Sequence, residues 1–314
     1  MKRFTLFYLL YFSINAAFGQ STTAKHELGL ITENDSYISE YQDKYYTNGI
    51  FLFYRYLANT NKPNINKKII EFKVGQEIYN PYHGDAYVKE LQDRPFAGYS
   101  FAEASINKFY QNESVLKLTG QLGILGPGSQ AEQVQDAYHE WFHFYTPNGW
   151  QYQIQNSPGV QFNLFYSEKL HPSAPSEQLD INGFADIKIG TIHTSATIGI
   201  LSRISLMDLA PIFNSNIYGA SVGKNNLDNK EAYFYISPRV NYTLYDATIQ
   251  GGLFDNNSPV VYGVVPFRLN VETGVRFRFR KMNLSYSVIF NSKEVQNNMD
   301  KRDQYGSIAF SVLM

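Results

Sequence analysis

The feature that most constrains this chain is strict period-two alternation, held over stretches of ten residues or more. From 271 to 280, Val271, Thr273, Val275, Phe277 and Phe279 share one face, and Glu272, Gly274, Arg276, Arg278 and Arg280 share the other. Leu284, Tyr286, Val288 and Phe290 oppose Asn283, Ser285 and Ser287 in the same way. From 150 to 166, Trp150, Tyr152, Ile154, Phe162, Leu164 and Tyr166 oppose Gln151, Gln153, Gln155, Gln161 and Asn163. Strands of soluble sheets run to ~5–6 residues, whereas a tilted membrane crossing takes ~9–11. Long strands with one apolar and one polar face suit a barrel with lipid outside and water inside.

About twelve such strands can be placed, at 25–34, 46–58, 68–78, 98–109, 114–124, 150–167, 179–190, 193–205, 231–245, 268–281, 282–291 and 304–314. The expected fold is therefore all-β: a transmembrane antiparallel β-barrel with a short helix in an extracellular loop. The number is even, as in bacterial barrels. The last strand carries Ile308, Phe310, Val312 and Met314 on one face, although such strands more often end in an aromatic residue. No internal repeat or linker interrupts the pattern, so 20–314 reads as a single barrel domain.

Composition agrees. A formal net charge of −1 gives no basic excess for nucleic acid. Tyr (25) and Phe (23) are abundant, while a mean hydropathy of −0.32 excludes a bundle of membrane helices. Lys2 and Arg3 precede the apolar run Phe4 to Phe12, and Ala17, Phe18 and Gly19 supply small residues for cleavage. Residues 1–19 read as a secretory signal peptide, with the mature chain starting near Gln20. There is no cysteine, which excludes disulfides, cysteine ligands and lipidation at an N-terminal cysteine. Export without a helical anchor fits the outer membrane of a Gram-negative bacterium.

With both termini in the periplasm, every odd-numbered strand leads into an outer loop. Those loops hold Glu33, Asn34 and Asp35; Asp93, Arg94, Pro95 and Phe96; a helical segment around His139; a tight turn near Thr191; Leu253 to Pro259; and Lys293 to Gln296. The unusual residues thus gather at one rim. The long segment 206–230 is left on the periplasmic side, where turns are usually short.

The segment from Ser129 to Tyr145 has a helical period. Val134, Tyr138, Trp141 and Tyr145 form an apolar stripe, and Glu132, Asp136, His139 and His143 an ionisable one. Ser129 followed by Glu132 has the spacing of a capping box. His139 is the candidate general base, with Gln135 and Asp136 one turn back as partners. His139, Glu140 and His143 also match the H-E-x-x-H spacing of zinc peptidases, which need a third ligand. Glu33, Asn34 and Asp35, with Tyr46, Thr47, Asn48 and Gly49, supply oxygen donors suited to a hard cation such as Ca²⁺. The same residues also suit an ordinary polar turn.

These motifs resemble the outer-membrane lipid A 3′-O-deacylase family. The matching stretches are Glu33–Asp35, Tyr46–Ile50, Gly75–Pro81, Asp93–Gly98, Leu122–Ser129, Glu132–His139, Gly149–Gln153 and Gly252–Pro259, in order over most of the chain. The resemblance implies a twelve-stranded barrel whose active site lies at the outer rim, between the wall and a loop helix. It implies Ca²⁺-dependent hydrolysis of the ester holding the 3′ acyloxyacyl group of lipid A, or lipopolysaccharide. Carried over by position, His139 matches the catalytic histidine, and Asn34 and Asp35 the essential pair at the calcium site. Thr47 falls at a hydroxyl position of that site. Arg94 matches a basic position that meets a lipid A phosphate. Tyr138 and Trp141 either line the acyl groove or pack the helix onto the barrel. A monomer is expected. Two alternatives stay open at this point: a zinc metallopeptidase using His139, Glu140 and His143, and a non-enzymatic porin or surface-binding barrel.

Overall fold

The computed structural model describes residues 23–38, 44–82, 86–145, 147–170, 178–207, 209–223, 230–254, 257–297 and 302–314. The signal peptide, His83, His171, Asp255 and Asn256 lie outside the described residues.

Twelve long strands close into an antiparallel barrel. In chain order the strands are β1 (His26–Asn34), β2 (Tyr45–Ala58), β3 (Ile65–Asn80), β4 (Ala97–Tyr110), β5 (Val115–Leu125), β6 (Ser157–Lys169), β7 (Leu179–Gly190), β8 (His193–Ser205), β9 (Glu231–Asp246), β10 (Gly263–Val264), β11 (Phe267–Phe279), β12 (Met282–Asn291), β13 (Val295–Gln296) and β14 (Asp303–Leu313). The two-residue strands β10 and β13 pair only with each other, apart from the wall. Elsewhere each strand pairs with its neighbour in sequence, and β1 closes on β14 with Glu27 opposite Leu313 and Asn34 opposite Gly306. His26 and Met314 exchange backbone hydrogen bonds of 3.0 and 2.8 Å, so the two ends of the described chain meet at one mouth.

Alternation sorts the side chains as expected. Leu28, Leu30, Ile50, Leu52, Phe72 and Val74 are exposed on the outer, lipid-facing surface. Opposite them, the lumen is lined by Glu27, Glu33, Arg55, Glu71, Lys73, Glu77, Glu103 and Lys117. Many of these pair: Arg55 bonds Glu71 and Glu27, Lys73 bonds Glu103 at 2.7 Å, and Arg239 bonds Glu272 at 3.1 Å. Charges facing water in a barrel interior are ordinary, whereas on the lipid face they would be costly.

Two expectations change. The sixth strand starts at Ser157, not at 150. Gly149 has a φ of +132°, which L side chains rarely adopt, and the chain there turns into a 3₁₀ turn, Trp150–Tyr152. That turn buries Trp150 against Phe96, with ring centroids 4.9 Å apart. The long segment after β8 is also more than a periplasmic turn. Its residues 209–223 fold back into the barrel mouth, burying Ile212, Ile217, Ala220 and Val222 among Ile69, Phe109, Leu201 and Tyr233.

Candidate active site at the lipid-facing rim

The loop after β5 builds the site. A 3₁₀ turn, Pro127–Ser129, leads into helix α1 (Ala131–Phe142). The capping box expected at Ser129 does not form. Gln130 is the N-cap, in a left-handed conformation (φ 59°) without a side-chain cap, and the Ser129 hydroxyl donates instead to the Gly126 carbonyl at 2.6 Å. The hydroxyl still accepts the Ala131 amide at 3.4 Å, but not the amide of the third helical residue that a capping box requires.

Strand phase shows where this loop docks. Glu77 and Tyr79 of β3, and Tyr99, Phe101 and Glu103 of β4, line the lumen. Gln76, Ile78, Gly98 and Ser100 therefore point outward. The Gln76 side chain donates to the Ser129 carbonyl at 2.7 Å and to Ser100 Oγ at 3.0 Å, and Ser100 Oγ donates to the same carbonyl at 2.9 Å. Ala131 packs with Ile78, Ala86, Phe96 and Trp150. A Cβ at Gly98 would lie 2.1 Å from the Ala131 Cβ and 2.4 Å from Ser129 Oγ. Helix α1 thus lies on the outside of the barrel wall, over β3 and β4. Gln76, Gly98 and Ser100 were not foreseen as site residues. Their sequence signal is a polar or missing side chain in a lipid-facing phase.

The helix orientation decides between the two readings of its apolar stripe, and Trp141 does not pack the helix onto the barrel. Its buried face is Ala131, Gln135 and His139, with His139 only 2% exposed. The apolar stripe looks away from the wall: Val134 is exposed and Trp141 is 81% exposed, while Tyr138 is half-buried. A helix lying on a membrane wall meets lipid on its outside, so its apolar side turns outward. Gln135 is held by Trp150, whose indole Nε1–H donates to Gln135 Oε1 at 3.0 Å. Burial, reinforced by Asp136, pushes the Glu132 carboxyl above its ordinary pKa.

His139 is oriented by a backbone group rather than by the expected Asp136. Its Nδ1 is bonded to the Tyr145 carbonyl oxygen. A carbonyl can only accept, so the proton resides on Nδ1, and Nε2 carries the basic lone pair. His143 sits past the helix end in a left-handed conformation (φ 57°), and both it and Glu140 are exposed. Among the described residues no group of three His, Cys, Asp or Glu side chains is placed to hold a metal ion. Among these residues the zinc-peptidase spacing finds no third ligand.

The same outer face, two strands along, holds the oxygen-rich hairpin end. Asn34 lies in the phase of Leu28 and Leu30, opposite Asn48 in the register. Asn34 Nδ2 donates to Asn48 Oδ1, and its Oδ1 accepts the Ser36 amide at 2.7 Å. Asp35 is buried at the start of a 3₁₀ turn, where its carboxylate accepts the Lys44 amide at 3.3 Å. Thr47 is the extra residue of a bulge between Tyr46 and Asn48, fully buried, with its hydroxyl oxygen lacking any hydrogen-bond partner. One carboxylate, two amides and an orphaned hydroxyl form an all-oxygen donor set that fits a hard divalent cation.

Arg94 is set apart from this face. It is 1% exposed, lies over the ring of lumen-facing Tyr79 at 4.3 Å, and donates from Nη2 to Thr248 Oγ1 at 2.9 Å. Thr248 belongs to a short helix, α2 (Ala247–Gln250), capped by Asp246. Arg94 therefore stands at the edge of the lumen and not on the lipid face.

Fold and site together describe an outer-membrane barrel with a roofed polar site on its lipid face. The LpxR family, described as outer membrane protein LpxR, matches residues 5–314, and the chain belongs to that family of lipid A deacylases. It resides in the outer membrane of a Gram-negative bacterium. Among solved structures it is similar to LpxR from Salmonella typhimurium, with a TM-score of 0.74 at 16% identity, over 92% of this chain and 100% of that one. It is less similar to the β-domain of the Bordetella autotransporter BrkA, with a TM-score of 0.51 at 8% identity, over 93% of this chain and 100% of that one. No curated protein sequence matches.

Proposed function

We propose that this chain is a Ca²⁺-dependent lipid A 3′-O-deacylase, a carboxylic ester hydrolase that releases the 3′ acyloxyacyl group. The observation that carries the reading is the placement of His139. It is buried on the wall-facing side of a helix that docks on the lipid-facing surface of β3 and β4. An acyl ester of a membrane glycolipid lies against that surface, between acyl chains and headgroup. The acyl chains stay against the wall, and Tyr138 and Trp141 flank them on the helix side.

The chemistry follows from the groups present. His139 Nε2 takes a proton from water, whose oxygen attacks the ester carbonyl carbon. The bond from that carbon to the sugar oxygen breaks, and His139 returns the proton to the leaving hydroxyl. The Tyr145 carbonyl fixes the ring and stabilises the imidazolium formed in between. Asn34, Asp35 and Thr47 would hold the calcium ion. Bound there, it supplies positive charge for the carbonyl oxygen as negative charge builds on it.

The test is the mass spectrum of lipid A from cells with and without the protein, with fragmentation to locate the lost group. Loss of the 3′ acyloxyacyl mass is expected. Unchanged lipid A in cells whose outer membrane contains the folded barrel would refute the assignment.

A further inference from the structure

We infer that residues 209–223 are a resident plug that makes the lumen a dead-end chamber, and that its removal opens an ion-conducting path through the barrel. The segment contains no Asp, Glu, Lys, Arg or His. It nevertheless crosses the mouth at the end where the termini meet, bonded to groups all around the wall. Gly223 and Ala24 exchange backbone bonds of 3.2 and 2.8 Å. The Ile212 amide donates to Glu113 at 2.9 Å, Tyr218 meets Ser167 at 3.2 Å, and Ser221 donates to Asn283 at 3.3 Å. Those partners stand on the β4–β5 turn, β6 and β12.

The latch is made by four wall cations that grip plug carbonyls. Lys67 Nζ donates to the Ala220 carbonyl at 2.8 Å, and Arg276 to that of Asn216 at 3.1 Å. Arg278 donates to the carbonyls of Asn214 at 2.8 Å and Ser221 at 3.1 Å. Arg203 donates to the Ala210 carbonyl and Ser215 Oγ, while bound to Asp180 and Glu231. Glu231 in turn accepts from Ser215 and Asn216. Gly219, at φ +77°, lies against the Arg55 guanidinium, 2.7 Å from where a Cβ would stand. On the inner side, Asn216, Ile217, Tyr218 and Gly219 bound a polar chamber of about 370 Å³.

A neutral strap held through its own backbone takes no charge with it when removed. The groups bonded to it are four cations, Lys67, Arg203, Arg276 and Arg278, and two carboxylates, Glu113 and Glu231. Behind them the lumen carries Glu27, Glu33, Glu71, Glu77 and Glu103 beside Arg55, Lys73 and Lys117, a polar path for ions once the strap is gone.

The test is conductance of the full barrel in planar lipid bilayers under a KCl gradient. The wild type should give no steady current. A variant with 209–223 replaced by a short Gly-Ser turn should give stepwise openings. Arg276→Gln with Arg278→Gln, which keeps the segment but loosens the latch, should flicker open. Steady wild-type current equal to that of the deletion would overturn the plug, and so would a folded but silent deletion. Should the deletion fail to insert, a silent Arg276→Gln/Arg278→Gln barrel is the overturning result.

Discussion

Gly98 is where helix α1 touches the wall, and it offers a sharp test of the docking geometry. A methyl group at this position would stand 2.1 Å from the Ala131 Cβ and 2.4 Å from Ser129 Oγ. Neither atom can swing clear, since one is a Cβ and the other is tied to Gly126. Reaching an ordinary 3.4 Å contact demands that α1 lift by roughly 1.3 Å, the difference between the two distances. Overpacking of this kind costs ~1–3 kcal/mol. A misplacement near 1 Å at a reacting group costs ~10²-fold in rate, or about 2.7 kcal/mol of barrier. Gly98→Ala should therefore cut deacylation about a hundredfold. The barrel itself should survive, because a β-strand tolerates alanine and the wall hydrogen bonds are untouched. The assay is acyl release from purified lipid A, with heat-modifiable gel migration as the check on folding. Gly120→Ala is the control: it shares the outer face of the neighbouring strand, and its added Cβ would meet only Phe162, at 3.9 Å. If Gly98→Ala keeps wild-type activity, α1 does not dock on β4 as described.

His139→Ala and Asp35→Ala should each lower acyl release by ~10²–10⁴-fold, and a calcium chelator should reproduce the Asp35 defect reversibly, whereas His143→Ala should stay close to wild type; the same release assay checks all three, and the opposite ranking would remove these roles. Trp150→Phe keeps the ring packing on Phe96 but removes the indole N–H that donates to Gln135 Oε1, worth ~0.5–1.5 kcal/mol. Activity should then be lost at a lower temperature than in wild type while barrel melting on a gel is unchanged.

The barrel was legible because alternation in a membrane wall is enforced on both faces: Leu28 and Leu30 cannot face the lumen, nor Glu27 and Glu33 the lipid. The same rule misled at 150–156, where alternating aromatic and Gln residues continue although Gly149 has already turned the chain into the core. The plug was illegible for the opposite reason. It has no period, and the four wall cations grip it through backbone carbonyls, which every residue possesses. The orienting partner of His139 was missed on the same ground, since the Tyr145 carbonyl has no residue signature.

The helix shows a further limit, and it sharpens how such sites can be found. In a soluble protein an apolar helical stripe faces the core, and by that logic Val134 and Trp141 should have been inside. Here both sides of the helix meet something apolar or sealed, and the polar face of Gln135 and His139 is the one covered. The wall carries the matching signal. Leu28, Leu30, Thr32 and Asn34 occupy one lipid-facing column, and Phe72, Val74, Gln76, Ile78 and Asn80 another. Each column turns polar while its strand is still paired, Asn34 with Asn48 and Gln76 with Ser100. A polar side chain facing lipid inside a paired strand is costly unless protein covers it. Such a residue therefore marks a roof, and the loop able to supply one is the helix-forming segment after β5. Read in this order, polar breaks in lipid-facing columns locate the site before any motif is considered, and the motif then supplies the base.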